Sequence, residues 1–170
     1  MDYIESSLIF TGISGAGKTK LVGKLAEEYH LRVVDVFEYV KPYIEKYGST
    51  KVKGGILKKP YKDLISDLPN LNFDILEIAS DWPDEFLPQI IKKLKVKPIL
   101  IFCDVSLETS LERNRKRNRV VPEQTLRDQA RFDHGFYKKL ASDFGVELII
   151  IDNEKPISDS CQDLKNKLKL

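Results

Sequence analysis

Leu8-Ile9-Phe10-Thr11-Gly12-Ile13-Ser14-Gly15-Ala16-Gly17-Lys18-Thr19 is the stretch on which the fold turns. It starts as an apolar run suited to a buried strand, passes through three glycines, and ends on Lys-Thr at the head of a helical pattern. Gly12 and Gly17 enclose four residues and lead directly into Lys18 and Thr19, which meets every fixed position of the Walker A pattern. Each residue type has a reason. Glycines allow the backbone to curl so that N–H groups converge on a phosphate, and the helix start adds the positive end of its dipole. Lys18 neutralises β and γ oxygens, Thr19 offers a hydroxyl to Mg²⁺, and Gly15 and Ala16 keep the loop narrow. Gly12, Ser14, Gly15, Ala16, Gly17, Lys18 and Thr19 are therefore the expected contacts of a nucleoside triphosphate, with ATP and Mg²⁺ as the expected ligands.

Outward from this loop, apolar runs at Leu8 to Thr11, Leu31 to Val34, Phe73 to Ile78, Ile99 to Cys103 and Glu147 to Ile151 predict five buried strands. They are rich in Ile, Leu and Val with little alternation, as a parallel sheet covered on both faces requires. Helical spacing joins Leu21, Val22, Leu25, Ala26 and Tyr29, then Val36, Tyr39, Val40, Tyr43 and Tyr47. A third helix is expected through Phe86 to Leu94 after Ser80, Asp81 and Pro83, with Pro88 disturbing its start. A fourth begins near Leu107 and runs into a basic stretch, a fifth opens at Pro122 and continues through Leu126, Phe132 and Leu140, and a last one carries Ile157, Cys161, Leu164 and Leu168. The expected fold class is α/β, a three-layer P-loop NTPase fold with a five-stranded parallel sheet, helices on both faces and an Arg-rich lid over about 111–122.

The chain has 170 residues, enough for one domain over 1–170, and a net charge of +2, too small to argue for nucleic acid by itself. Cys103 and Cys161 lack metal-ligand spacing and fit buried thiols in a reducing compartment, so a cytoplasmic location is expected. His30 and His134 have no companion at ligand spacing. The start of the chain lacks the basic and apolar regions of a signal peptide, and no apolar run reaches the length of a membrane span.

Three features separate phosphotransfer from simple binding. Asp35 ends the second strand, facing the crevice at the strand C-termini, where it can deprotonate an acceptor hydroxyl or simply cap the next helix. Glu77 ends the third strand, where a carboxylate can hold Mg²⁺ together with Thr19; Asp81 is a lesser candidate, and Asp74 fits a strand edge. Arg113, Arg115, Lys116, Arg117 and Arg119 crowd one segment, and continued helical spacing would put Arg113 and Arg117 on one face. Such arginines can close on a triphosphate, although a solvated basic helix has the same composition.

Leu111-Glu112-Arg113-Asn114, Arg117, Val121-Pro122 and Leu126-Arg127 resemble the lid region of small P-loop kinases of the polynucleotide 5'-hydroxyl kinase, seryl-tRNA kinase and zeta-toxin group. The resemblance implies transfer of the ATP γ-phosphoryl group, with Arg113 and Arg117 as lid arginines, Asp35 at the general-base position, and Asp152 and Asn153 at the adenine side. Glu38 stands where polynucleotide kinases carry an acceptor-phosphate arginine, which argues against a nucleic-acid end.

The segment 49–62 contains Gly54, Gly55, Pro60 and five lysines, and is expected as a mobile basic loop. Its Lys51, Lys53, Lys58, Lys59 and Lys62 can cover an anionic small-molecule or nucleic-acid acceptor, or merely stay solvated. Tyr39, Tyr43 and Tyr47 offer a stacking surface, with core packing the favoured role, and Trp82 either walls the acceptor pocket or caps the core. A nucleotide or nucleoside kinase is the alternative. A switch that binds nucleotide without transferring it would resemble GTPases through an Asn-Lys-x-Asp motif, which does not occur in the sequence. Oligomeric state stays open.

Overall fold

The structure, a computed structural model, describes residues 7–48, 58–79, 81–118 and 120–170. Five strands, β1 (Leu8–Thr11), β2 (Val33–Asp35), β3 (Ile75–Glu77), β4 (Ile99–Asp104) and β5 (Glu147–Asp152), form one sheet in the order β2-β3-β1-β4-β5. All four pairings are parallel. The predicted strands are all present, and β2 and β3 are shorter than their apolar runs. β2 sits at the sheet edge and leaves Val33 40% exposed, so it is not the buried strand its apolar composition suggested.

The remaining elements are α1 (Lys18–Tyr29), α2 (Phe37–Tyr47), α3 (Lys58–Asp67), a single 3₁₀ turn (Leu68–Asn70), α4 (Pro83–Lys93), α5 (Leu107–Arg115), α6 (Glu123–Gln129), α7 (His134–Phe144) and α8 (Ile157–Leu168). Side chains alternate across the sheet. Leu8 and Phe10 pack with Leu21 and Leu25 of α1 and Cys161 and Leu164 of α8, whereas Ile9 faces Leu64, Phe86 and Tyr137 on the other side. Two apolar layers thus sandwich the sheet, and each fully buried Leu, Ile or Phe contributes roughly 1.5–3 kcal/mol. Among the described residues, no helix is long and apolar enough to cross a membrane.

Three expectations change. Lys58 to Lys62 belong to α3 rather than to a loop, because Tyr61, Leu64 and Ile65 give that segment a buried face; 49–57 lie outside the described residues. The helix expected from Pro122 through Leu140 is two helices, since Asp133 accepts a hydrogen bond from the Phe136 N–H and starts α7 afresh. Pro88 is accommodated inside α4, with Pro83 in the first turn where no N–H is required. Cys103 and Cys161 are free and buried, as expected.

The chain runs from β1 to one side for β2 and β3, then crosses to the other for β4 and β5. The reversal occurs at β1, and in an open parallel sheet the crevice beyond such a strand's carboxyl end is the natural ligand site. The Gly12-to-Lys18 loop lies there.

Candidate active site

The loop from Gly12 to Thr19 is held in shape by close packing. At Gly12, with φ of 141°, a Cβ would stand 2.5 Å from the Cys103 carbonyl oxygen on β4, which no side chain tolerates. At Gly15, with φ of 87°, a Cβ would meet the Ser110 carbonyl oxygen at 3.0 Å. The Ser110 hydroxyl, fully buried on α5, donates to the Ser14 carbonyl oxygen. Asn153, just past β5, donates its Nδ2 to the Ala16 carbonyl oxygen at 2.7 Å. These supports engage carbonyl groups of the loop and hold its curled shape.

Lys18 is 7% exposed, and its Nζ donates to the carbonyl oxygens of Gly12 at 2.8 Å and Ile13 at 3.0 Å. Burial holds this amine below the ordinary lysine range, partly offset by the fields of Cys103 and Glu77. Thr19 Oγ1 donates to Glu77 Oε1 at 2.5 Å. The register that sets Glu77 beside both Phe10 of β1 and Asp35 of β2 brings these groups together. Burial raises the Glu77 carboxyl above the usual carboxylate range and Asp35 raises it further, while the Thr19 hydrogen bond, Lys18 and Arg117 oppose the rise. A buried carboxylate on a hydroxyl, next to a second carboxylate, is suited to a hard cation that keeps several waters. Among the described residues there is no cluster of three or more His, Cys, Asp or Glu side chains spaced to hold a metal by themselves.

Asp35 accepts the Phe37 N–H at 2.8 Å, so it does cap the start of α2, while its strand-end position also keeps it beside Glu77. Asp74 forms a bidentate pair with Arg32 at the strand edge, as expected.

The arginine cluster is arranged differently from the helical expectation. Helix α5 ends at Arg115, and Arg113 and Arg117 do not share a helix face. Arg113 donates to the carbonyl oxygens of Gly15 at 3.4 Å and Asn153 at 2.8 Å, which makes it a latch on the loop's outer side. Arg115 pairs with Glu123 and Lys116 with Glu112, so both are drawn away from the loop. Arg117 is exposed in the turn beyond α5, close enough to Lys18 and Glu77 to lower both titrations. Arg119 lies outside the described residues. Asn114, fully buried, anchors this turn with two hydrogen bonds to Val121, donating to its carbonyl oxygen at 2.7 Å and accepting its N–H at 2.9 Å.

Of the lysines in the segment expected to be basic, two that α3 carries are ion-paired. Lys58 pairs with Glu85 and Lys59 with Asp63, which offsets part of the positive charge expected there; Lys51 and Lys53 lie outside the described residues. Tyr39 and Tyr43 donate their hydroxyls to Asp67 and Asp63 across α2 and α3, at 2.9 and 3.0 Å. They join two helices. Trp82 packs edge-on against Tyr61 and Phe86. Asp81 accepts hydrogen bonds from Tyr61 and Gln129. Ser110 and Gln129 support the loop, and Asn114 the turn after α5; of these only Asn114, in the Leu111-to-Asn114 stretch, was marked by the sequence, and the one signal for Ser110 and Gln129 is a polar residue amid helical apolar positions.

No protein-family model matches the chain, and no curated protein matches it in sequence. Solved structures do match its fold. A gluconokinase from Sinorhizobium meliloti 1021 superposes with a TM-score of 0.74 at 14% identity, over 99% of this chain and 94% of that one. A shikimate kinase from Acinetobacter baumannii in complex with shikimate gives 0.67 at 20% identity, over 97% and 94%. A deoxyadenosine kinase from M. mycoides with bound dATP gives 0.64 at 16% identity, over 96% and 100%. At these identities the likeness establishes the fold of P-loop kinases.

Proposed function

We propose that the chain is an ATP-dependent kinase that transfers the γ-phosphoryl group to a hydroxyl of a small polyhydroxylated molecule that carries no phosphate. One observation carries the donor half: a preformed phosphate loop whose Lys18 and Thr19 converge with a buried Glu77 at the switch point of the sheet. Backbone N–H groups of the loop and the start of α1 receive the β- and γ-phosphates, and Lys18 turns from the Gly12 and Ile13 carbonyls toward them. Thr19 and Glu77 would hold Mg²⁺, which when bound offsets phosphate charge. Arg117 approaches from the turn beyond α5, where guanidinium charge stabilises the transferring group. Arg113 and Asn153 keep the loop wall in place beside the base-binding side.

The acceptor half is anionic in character. Asp35 ends β2, Asp81 lies between β3 and α4, Glu38 follows in α2, and Lys58 and Lys59 of α3 are paired. Such a surface disfavours a phosphate-bearing acceptor and suits hydroxyls, which donate to carboxylates. An acceptor hydroxyl gives its proton to Asp35 as its oxygen bonds to the γ-phosphorus. The bond to the β–γ bridging oxygen breaks, and ADP leaves. Gluconokinase, shikimate kinase and a sugar kinase among the structural neighbours act on molecules of this kind. A nucleoside kinase is the second reading, favoured by the deoxyadenosine kinase match.

Incubation with γ-labelled ATP, Mg²⁺ and separate pools of sugars, sugar acids, cyclic polyols, nucleosides and RNA ends tests this. Label is expected in one of the neutral or sugar-acid pools. Label released only as free phosphate across every pool would refute phosphotransfer, and transfer to RNA ends would refute the acceptor assignment.

A further inference from the structure

Gln129 closes α6, is 3% exposed, and belongs to none of the motifs that mark the donor site. Its Oε1 accepts the Ser14 N–H of the phosphate loop at 2.7 Å. Its Nε2 donates to Asp81 Oδ1 at 2.6 Å. The other Asp81 oxygen accepts the Tyr61 hydroxyl at 3.1 Å, and Tyr61 is buried in a stack on Phe86, 4.8 Å between ring centres. A line of three hydrogen bonds therefore runs from the middle of the donor loop to α3 on the acceptor side. Only a carboxamide serves here without loss. It accepts at one end and donates at the other, whereas a carboxylate would face Asp81 with like charge. Because the residue is buried, a broken link is not replaced by bulk water.

We propose that Gln129 is a positioning residue that couples the phosphate loop to the acceptor-side carboxylate Asp81, fixing Asp81 for an acceptor hydroxyl when triphosphate occupies the loop. This rests on the kinase reading above. Each Asp81 oxygen keeps a lone pair beyond the bonds to Gln129 and Tyr61, enough to receive a substrate hydroxyl. When phosphates engage the loop and Ser14 shifts, the carboxamide passes that shift to Asp81 and to its neighbour Trp82.

Trp82 is the chain's single tryptophan and packs on Tyr61, 5.9 Å between ring centres, so its fluorescence reports the Asp81 segment. The full chain is titrated with MgATP by calorimetry and, in parallel, by Trp82 fluorescence. The parent is expected to bind and to change its emission. Gln129→Leu is expected to bind within about fivefold of the parent yet lose most of the emission change, since about one hydrogen bond to the loop is removed. Gln129→Glu keeps an acceptor for Ser14 but sets a carboxylate against Asp81. Its response should be lost near about pH 8 and return toward about pH 5, where a proton shared with Asp81 restores the donor. Tyr61, which burial holds well above its ordinary range, keeps its proton across that range, and the parent measured alongside controls for Lys18, Asp35, Glu77, Lys58 and Glu85. A variant that loses helical circular dichroism is set aside, and the other decides. A parent that binds MgATP with silent Trp82, or a variant with the parent's response at every pH, overturns the coupling and leaves the kinase reading standing. A parent that does not bind MgATP overturns both.

Discussion

Asn114→Ala removes the two hydrogen bonds that pin the turn beyond α5, and its cost follows from the structure. Asn114 is fully buried and exchanges both of its polar ends with the Val121 backbone, at 2.7 and 2.9 Å. Two such bonds are worth about 2 kcal/mol net, and alanine returns about 0.5 kcal/mol through better helix propensity at the end of α5. The balance is a loss of about 1.5 kcal/mol. For a domain of 170 residues this lowers the melting midpoint by about 3–6 °C. Because Arg117 hangs on the same turn, the KM for ATP should also rise by about three- to tenfold. Thermal and urea unfolding followed by circular dichroism measure the first effect, and ATP titration of turnover measures the second. Exposed Asn118→Ala in the same turn is the control, expected within about 0.5 kcal/mol of the parent. If Asn114→Ala melts with the control and binds ATP as the parent does, Asn114 does not anchor this turn.

Further perturbations separate structural from chemical roles. Asp35→Asn keeps an oxygen for the Phe37 N–H and so keeps the cap, yet loses the base; turnover should fall by about 10²–10⁴ with stability nearly unchanged, and parent-like turnover would move the base elsewhere. Lys18→Met should preserve the fold, by circular dichroism, and lower turnover by about 10²–10³; a loss under tenfold would contradict its phosphate role. Glu77→Gln tests the buried carboxyl. Its raised pKa means that the folded chain holds the proton more tightly than the unfolded chain, so ionised Glu77 costs stability above the folded pKa, and the cost fades as pH falls through it. The variant should therefore melt higher than the parent near about pH 8, with the gain vanishing below the ordinary value of 4.5, and should lose Mg²⁺-dependent ATP affinity. A melting difference independent of pH would refute the assignment.

The loop from Gly12 to Thr19, the five strands and the strand-end carboxylates were legible in the sequence because their signals are local. A phosphate loop needs glycine at fixed places, a sheet covered on both faces needs unbroken apolar runs, and helix periodicity follows from 3.6 residues per turn. What lay in the tertiary structure was the company each group keeps. Arg113 and Arg117 look like a matched pair by spacing, but α5 stops at Arg115, and one becomes a latch on the Gly15 carbonyl while the other stays exposed near Lys18. The lysines of α3 look like an anion site by composition, but Glu85 and Asp63 claim two of them. Gln129 gives no local signal at all, since its meaning depends on Ser14, 115 residues away, and on Asp81, 48 residues away. Short-range sequence order determined the glycine loop and the elements that flank it; long-range register and packing decided which side chains surround that loop, because hydrogen bonds and ion pairs are settled by distance in space.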